Sequence, residues 1–170
     1  ELDFGQVHRC LRGLHLGRSR FEKLSRKGVV HLEAKTGYGL ELESESRLLE
    51  AYAALRAEGW SLDITLMPAH DLPTEFAGDP DRYIATVAEV WQPELVRRFP
   101  GAARFCDVFV ERGVFTPEHG RRILEAGKAL GLIPRIHADE FCHTGGAELA
   151  AEVGAASADH LMFCSDEGMK

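Results

Sequence analysis

"RFCDVFVERGVFTPEHGRRILEAGKALGLIPRIHADEF", residues 104–141, contains a complete strand–helix–strand unit. Segment 104–111 is a β-rich apolar run. After it, Thr116 stands as a helix N-cap, Pro117 takes the first helical position, and Glu118 lies in the positive first turn. Gly131 falls where a left-handed C-terminal residue is wanted. Ile123, Leu124, Gly127 and Leu130 mark one face at helical spacing. A second β-rich run, 132–138, follows at once. Two such runs joined by a helix pack as a right-handed unit of parallel strands.

The same grammar extends outward in both directions. Further strands are expected at 29–34, 62–67 and 158–163. "SESRLLEAYAALRAEG", 44–59, reads as a helix with Leu48, Tyr52 and Leu55 on one side. "GDPDRYIATVAEVWQ", 78–92, begins at Asp79 and Pro80 and should bury Tyr83, Val87, Val90 and Trp91, with Pro93 stopping or restarting it before Phe99. The chain up to about Arg26 carries an amphipathic helical pattern through Val7, Leu11 and Leu14, and "TGGAELAAEVG" supplies a helix before the last strand. Strand and helix alternate throughout, which defines an α/β protein with a parallel sheet. Five such units make an open doubly wound sheet or part of a (β/α)8 TIM-type barrel. The 170 residues fall short of the roughly 250 of a complete barrel.

The composition is that of a globular chain. A net charge of -7, without a Lys/Arg run longer than two, disfavours nucleic acid or anionic lipid as a partner and favours a small molecule. No stretch approaches the roughly 18 apolar residues of a membrane span, and no basic-then-apolar leader opens the sequence. The four cysteines (Cys10, Cys106, Cys142 and Cys164) are scattered and form no C-x-x-C pair. They read as buried reduced thiols in a cytoplasmic protein.

Polar residues recur at the C-terminal ends of the expected strands. Lys35 and Tyr38 follow the first, His70 the second, Glu111 the third, and His137 and Glu140 the fourth, while His160 falls in the fifth. That edge is where parallel α/β folds build their sites. His137 suits Zn²⁺ or Fe²⁺ as a neutral imidazole. Its ordinary alternative is a hydrogen-bonded strand-end histidine, and no H-x-H, H-E-x-x-H or paired cysteines supply further ligands nearby. Glu140 is placed either to take a proton from water or to stabilise the following helix N-terminus. Asp159 and His160 are adjacent in a strand and should point to opposite faces, so they do not form a pair. "KTGYGL" allows close backbone approach at Gly37 and Gly39, but it is neither a Walker loop nor part of a G-x-S-x-G elbow.

Taken in order, "EAKTGYGL", "PAHDLPTEF", "FCDVFVERGVFT", "HADEF" and "GGAELAAEVGAASADHL" resemble the central portion of imidazolonepropionase, a metal-dependent family of the amidohydrolase superfamily. The resemblance runs from about Leu11 to Met169. It implies an incomplete (β/α)8 barrel over residues 1–170 and hydrolysis of 4-imidazolone-5-propanoate to N-formimidoyl-L-glutamate in histidine degradation. It also implies His137 as ligand to one Zn or Fe ion, Glu140 as the base that also contacts the ring, His160 as a partner in proton transfer, and Tyr38 and His70 as substrate-holding residues. The family's paired H-x-H ligands, its late-strand aspartate and its upstream arginine lie in segments this chain does not contain. The chain alone is therefore expected to be inactive and to hold metal weakly. Its open sheet edges and uncovered apolar interior are expected to favour homo-oligomers. The alternatives are another cyclic amidohydrolase or nucleobase deaminase, and a non-catalytic α/β domain.

Overall fold

In the computed structural model, residues 4–170 are described, with side chains from His15 onward. The chain alternates α1 (Phe4–Ser25), β1 (Leu32–Lys35), α2 (Leu42–Ala57), β2 (Leu62–Ala69), a 3-10 turn at Thr74–Phe76, α3 (Pro80–Thr86), a π turn at Val87–Trp91, α4 (Gln92–Arg98), β3 (Phe105–Val110), α5 (Pro117–Ala129), β4 (Ile133–Ala138), α6 (Gly146–Val153) and β5 (Ser157–His160). All neighbouring strands are parallel, and their spatial order is β1-β2-β3-β4-β5. This is the curled half-barrel that a run of consecutive βα units produces.

The curl can be measured from one contact. Lys35 Nζ on β1 lies 2.7 Å from Asp159 Oδ2 on β5. In a flat sheet, four strand spacings would hold those strands about 19 Å apart. The sheet must bend through a barrel-like arc for the contact to form.

Each strand divides its residues between two faces. Ala34, Ile64, Leu66, Cys106, Val108, Val110, Ile136 and Ala138 turn outward into the core beneath the helices. The intervening residues include Glu33, Lys35, Thr65, Asp107, Arg135, His137 and Asp159, and they face the concave side. That interior was expected to be apolar. It is instead bridged by charge, with Arg135 bonded to Glu33 and lying 3.5 Å above the Phe105 ring.

Helix α5 realises the capping pattern read from its sequence. Thr116 and His119 form a reciprocal capping box, and Gly120, Ile123, Leu124 and Gly127 are buried. Elsewhere the boundaries move. The first strand begins at Leu32 rather than 29, and the last ends at His160 rather than 163, because His160 and Leu161 adopt φ of 76° and 56°. In α2, Leu49 and Leu55 are fully buried while Leu48 and Tyr52 are only partly so. The π turn explains a further difference. Gln92 N–H donates to Val87 O, five residues back, immediately before Pro93, which has no N–H to give. The extra residue rotates the helix, so Tyr83 and Val87 are buried as expected but Val90 is 54% exposed. Of the N-terminal pattern, the side chains of Val7, Leu11 and Leu14, like that of Cys10, lie outside the described residues. The other three cysteines are free.

Gly127 lets α5 lie directly on β3, because a Cβ there would strike the Cys106 side chain. Alanine should gain about 1 kcal/mol of helix propensity but lose about 1–3 kcal/mol to overpacking. Gly127→Ala is therefore expected to lower the melting temperature by up to about 8 °C in thermal unfolding followed by circular dichroism. An increase would show that the two elements are not in close contact.

Candidate functional site

Four buried or half-buried groups meet on the concave face near the C-terminal ends of the strands. Lys35 Nζ donates to Asp107 Oδ2 at 2.8 Å and to Asp159 Oδ2 at 2.7 Å. His137 Nδ1 lies 3.0 Å from Asp107 Oδ2, and His137 Nε2 is 3.9 Å from Asp159 Oδ2. Burial alone would raise the pKa of the fully enclosed Asp107, but the His137 hydrogen bond and the Lys35 charge hold it below the usual carboxylate range. Burial would likewise depress Lys35, and its carboxylate partners keep it above its ordinary value. The bond from Asp107 fixes the His137 ring and leaves Nε2 facing the open side, the arrangement a carboxylate gives to a metal-ligating or proton-accepting imidazole.

A row of rings crosses the same edge. Tyr38 and His70 have centroids 5.0 Å apart, His70 and Phe109 6.2 Å, Phe109 and His137 6.2 Å, and His137 and His160 5.3 Å. Glu140 closes the row at the β5 end, its Oε2 lying 3.4 Å from His160 Nε2. All five residues singled out from the sequence, Tyr38, His70, His137, Glu140 and His160, thus lie on one arc. Asp159 and His160 form no ion pair with each other, but they do not part to opposite faces: Asp159 Oδ2 lies 3.9 Å from His137 Nε2 and the His160 ring 5.3 Å from the same imidazole, because the positive φ of His160 breaks the strand alternation.

The loops that present these groups are tied down by buried carboxylates. Glu45, on the first turn of α2, accepts from Gly37 N–H at 2.6 Å, Gly39 N–H at 2.8 Å and Leu40 N–H at 3.2 Å, which shapes the loop that carries the 73% exposed Tyr38. Gly37, at φ 99°, lies so close to β2 that a Cβ would come 2.8 Å from His70 Cβ. Glu111 accepts from Phe141 N–H at 2.8 Å and Arg112 N–H at 2.7 Å. Asp139 accepts from Thr144 N–H at 2.6 Å and Ala147 N–H at 3.1 Å. Among the described residues, the four non-glycine positions with positive φ, Leu40, Asp139, His160 and Leu161, all lie in the loops after β1 and β4 or at the end of β5 and just beyond it. A cleft of 530 Å³ opens off this row, between loops that include Leu72, Phe76 and Trp91. It holds none of the imidazoles, so the chemistry belongs to the open concave face.

Asp107, Asp159 and Glu45 were not singled out from the sequence. Asp107 sits in an apolar run, and nothing in the sequence alone marks it as a partner of His137. The alternation argument applied to Asp159 could have placed it on the inner face. The carboxylates of Asp107 and Asp159 and the His137 ring nitrogen lie within 4.8 Å of one another, which makes a candidate cation site.

A parallel half-barrel carrying a Lys–Asp–His cluster at the C-terminal ends of its strands has the architecture of part of a (β/α)8 barrel. The comparisons with known proteins are specific. The chain is homologous to imidazolonepropionases: it is 53% identical to that of Geobacillus kaustophilus over 89% of the chain, 44% identical to that of Myxococcus xanthus over 92%, and 45% identical to that of Bacteroides fragilis over 97%. It spans 35%, 37% and 40% of their respective lengths. No family model matches the chain.

Removing the Lys35 cation should leave Asp107 buried without a counter-charge. Lys35→Met is expected to cost about 3–5 kcal/mol in urea unfolding, and adding Asp107→Asn should restore much of it. The same pair sets a pH window. Because the folded pKa of Asp107 is lowered, its contribution is present above the unfolded value of about 3.9 and lost as pH falls through the lower folded one. The raised Lys35 contributes fully below about 10.4 and less as pH rises through its folded value. Stability that rises on acidification below pH 4 would contradict this account.

Proposed function

We propose that this chain supplies the middle βα units of an imidazolonepropionase-type site, which hydrolyses the cyclic amide of 4-imidazolone-5-propanoate to N-formimidoyl-L-glutamate. One observation carries the reading. In a chain 44–53% identical to enzymes of that name, two imidazoles face each other at 5.3 Å with a carboxylate 3.4 Å from one of them.

The residues divide the work by position. Water adds to the ring carbonyl carbon and the ring C–N bond breaks. Glu140 takes the water proton and returns one to the departing nitrogen, and His160 relays protons with it across their 3.4 Å contact. Tyr38 and His70 hold the substrate from the β1–β2 end of the row. Phe109, between the two histidines, is an apolar surface for a planar ring.

The donor set fits a metal. His137 Nε2 is free of Asp107 and has Asp159 beside it, so a divalent Zn or Fe ion would be held there. Bound there, such an ion supplies a water of lowered pKa. Lys35 already neutralises both aspartates, and one imidazole with carboxylates is a sparse ligand set, so the affinity of the chain alone at this position is weak.

The test is a chimera in which this chain replaces the matching segment of the Geobacillus kaustophilus enzyme. The chimera should hydrolyse 4-imidazolone-5-propanoate in preference to other cyclic amides and aminopurines. His137→Ala should lower metal content and activity together. Glu140→Gln should retain the metal and lose at least ~100-fold in kcat, the scale of a missing general base. Full metal occupancy in the His137 variant, or wild-type turnover in the Glu140 variant, would remove that residue from its role.

A further inference from the structure

A second cluster of ligating groups lies behind the row, where the loop after β4 meets α6. Asp139, His143 and Glu148 each offer one atom, and these lie within 4.8 Å of one another. His143 Nδ1 is 3.8 Å from Asp139 Oδ1. The two candidate groups differ in one respect. At Asp107 and Asp159 a lysine ammonium already touches both carboxylates, whereas among the described residues no lysine or arginine pairs with Asp139 or Glu148.

A second observation points to a missing ligand. Glu148 Oε1 accepts from Ser165, but Glu148 Oε2 is buried and has no hydrogen-bond partner. A buried carboxylate oxygen left bare beside another carboxylate is costly, and a cation satisfies both. The helix N-terminus and the Thr144 and Ala147 bonds serve Asp139, and they leave Glu148 Oε2 unserved. Burial and the nearby carboxylates push the Cys164 thiol up, so it stays protonated and the donors are one imidazole and two carboxylates. That set suits a borderline divalent ion such as Zn²⁺ or Co²⁺ rather than Mg²⁺.

We propose that Asp139, His143 and Glu148 form a divalent transition-metal site, separate from the His137 cluster, that fastens the Glu140-bearing loop to α6. The residues span ten positions of chain, so one ion bound there clips the loop 139–145 to the first turn of the helix. The site does not depend on the proposed hydrolysis. His143 is 53% exposed on its side chain, which gives an ion direct access.

The purified chain is titrated with Zn²⁺ by calorimetry and with Co²⁺ by visible absorption, near neutral pH, with Mg²⁺ as control. Binding should saturate at one strongly held ion per chain, with a rise in melting temperature, and Mg²⁺ should give neither. His143→Ala and Glu148→Gln should each weaken binding by on the order of tenfold or more, the scale seen when a metal site loses part of its shell, while His137→Ala should leave it unchanged. Because the His143 side chain is exposed, its variant keeps the fold and tests the ligand alone. Any other pattern overturns the proposal, including absence of saturable binding, binding unaffected by His143→Ala, and binding that His137→Ala abolishes.

Discussion

The bridge from Lys35 to Asp107 and Asp159 is the constraint around which the sheet is organised. It joins β1 to β3 and β5, and it can exist only if the sheet curls enough to bring its two edge strands within reach of one side chain. The curl in turn brings His137, on β4, against Asp107 on one side and Asp159 on the other. A buried ion pair of this kind contributes little net stability, because desolvation cancels most of the attraction. Its value lies in selecting one curvature and one inner-face register, since any other leaves Asp107 charged and unpaired in the core.

The loops at the C-terminal edge share a second device. Glu45, Glu111 and Asp139 are buried carboxylates that accept mainly from backbone N–H groups. Each replaces water for a loop that has no strand or helix partner of its own. Glu45 is contributed by the helix after the loop it holds, Glu111 reaches from one βα unit to the next, and Asp139 ties its own loop to the following helix. The Glu111 carboxyl would rise with burial but is brought below its ordinary range by the Cys142 thiol and by backbone donors. Tyr38 and Glu140 are thus presented by loops of fixed shape.

The concave face departs from the usual pattern of a buried parallel sheet, where strands read as apolar on both sides. Here Glu33, Lys35, Asp107, Arg135, His137 and Asp159 share the interior, and aromatic rings lie among them. Such a surface is held by reciprocal ion pairs rather than by apolar contact. Its exposure therefore costs far less than that of an apolar interior.

Much of this was legible in the sequence. Capping residues and glycines delimit α5, and the alternation of apolar runs with helical periods predicts a parallel α/β sheet in chain order. The positions of Tyr38, His70, His137, Glu140 and His160 just past the strands place them on one edge, because local chemistry is enough to say where a strand stops. Tertiary structure alone decided the partners. That Asp107 orients His137, that Lys35 answers Asp159 across 124 residues of chain, and that Glu45 holds the Tyr38 loop all depend on sheet curvature and helix placement. These are set by packing and charge burial summed over the whole fold, and no window of sequence contains that sum. The exposure of Val90 shows the same limit, since helical periodicity assigned it to the core and a π turn beside Pro93 rotated it out.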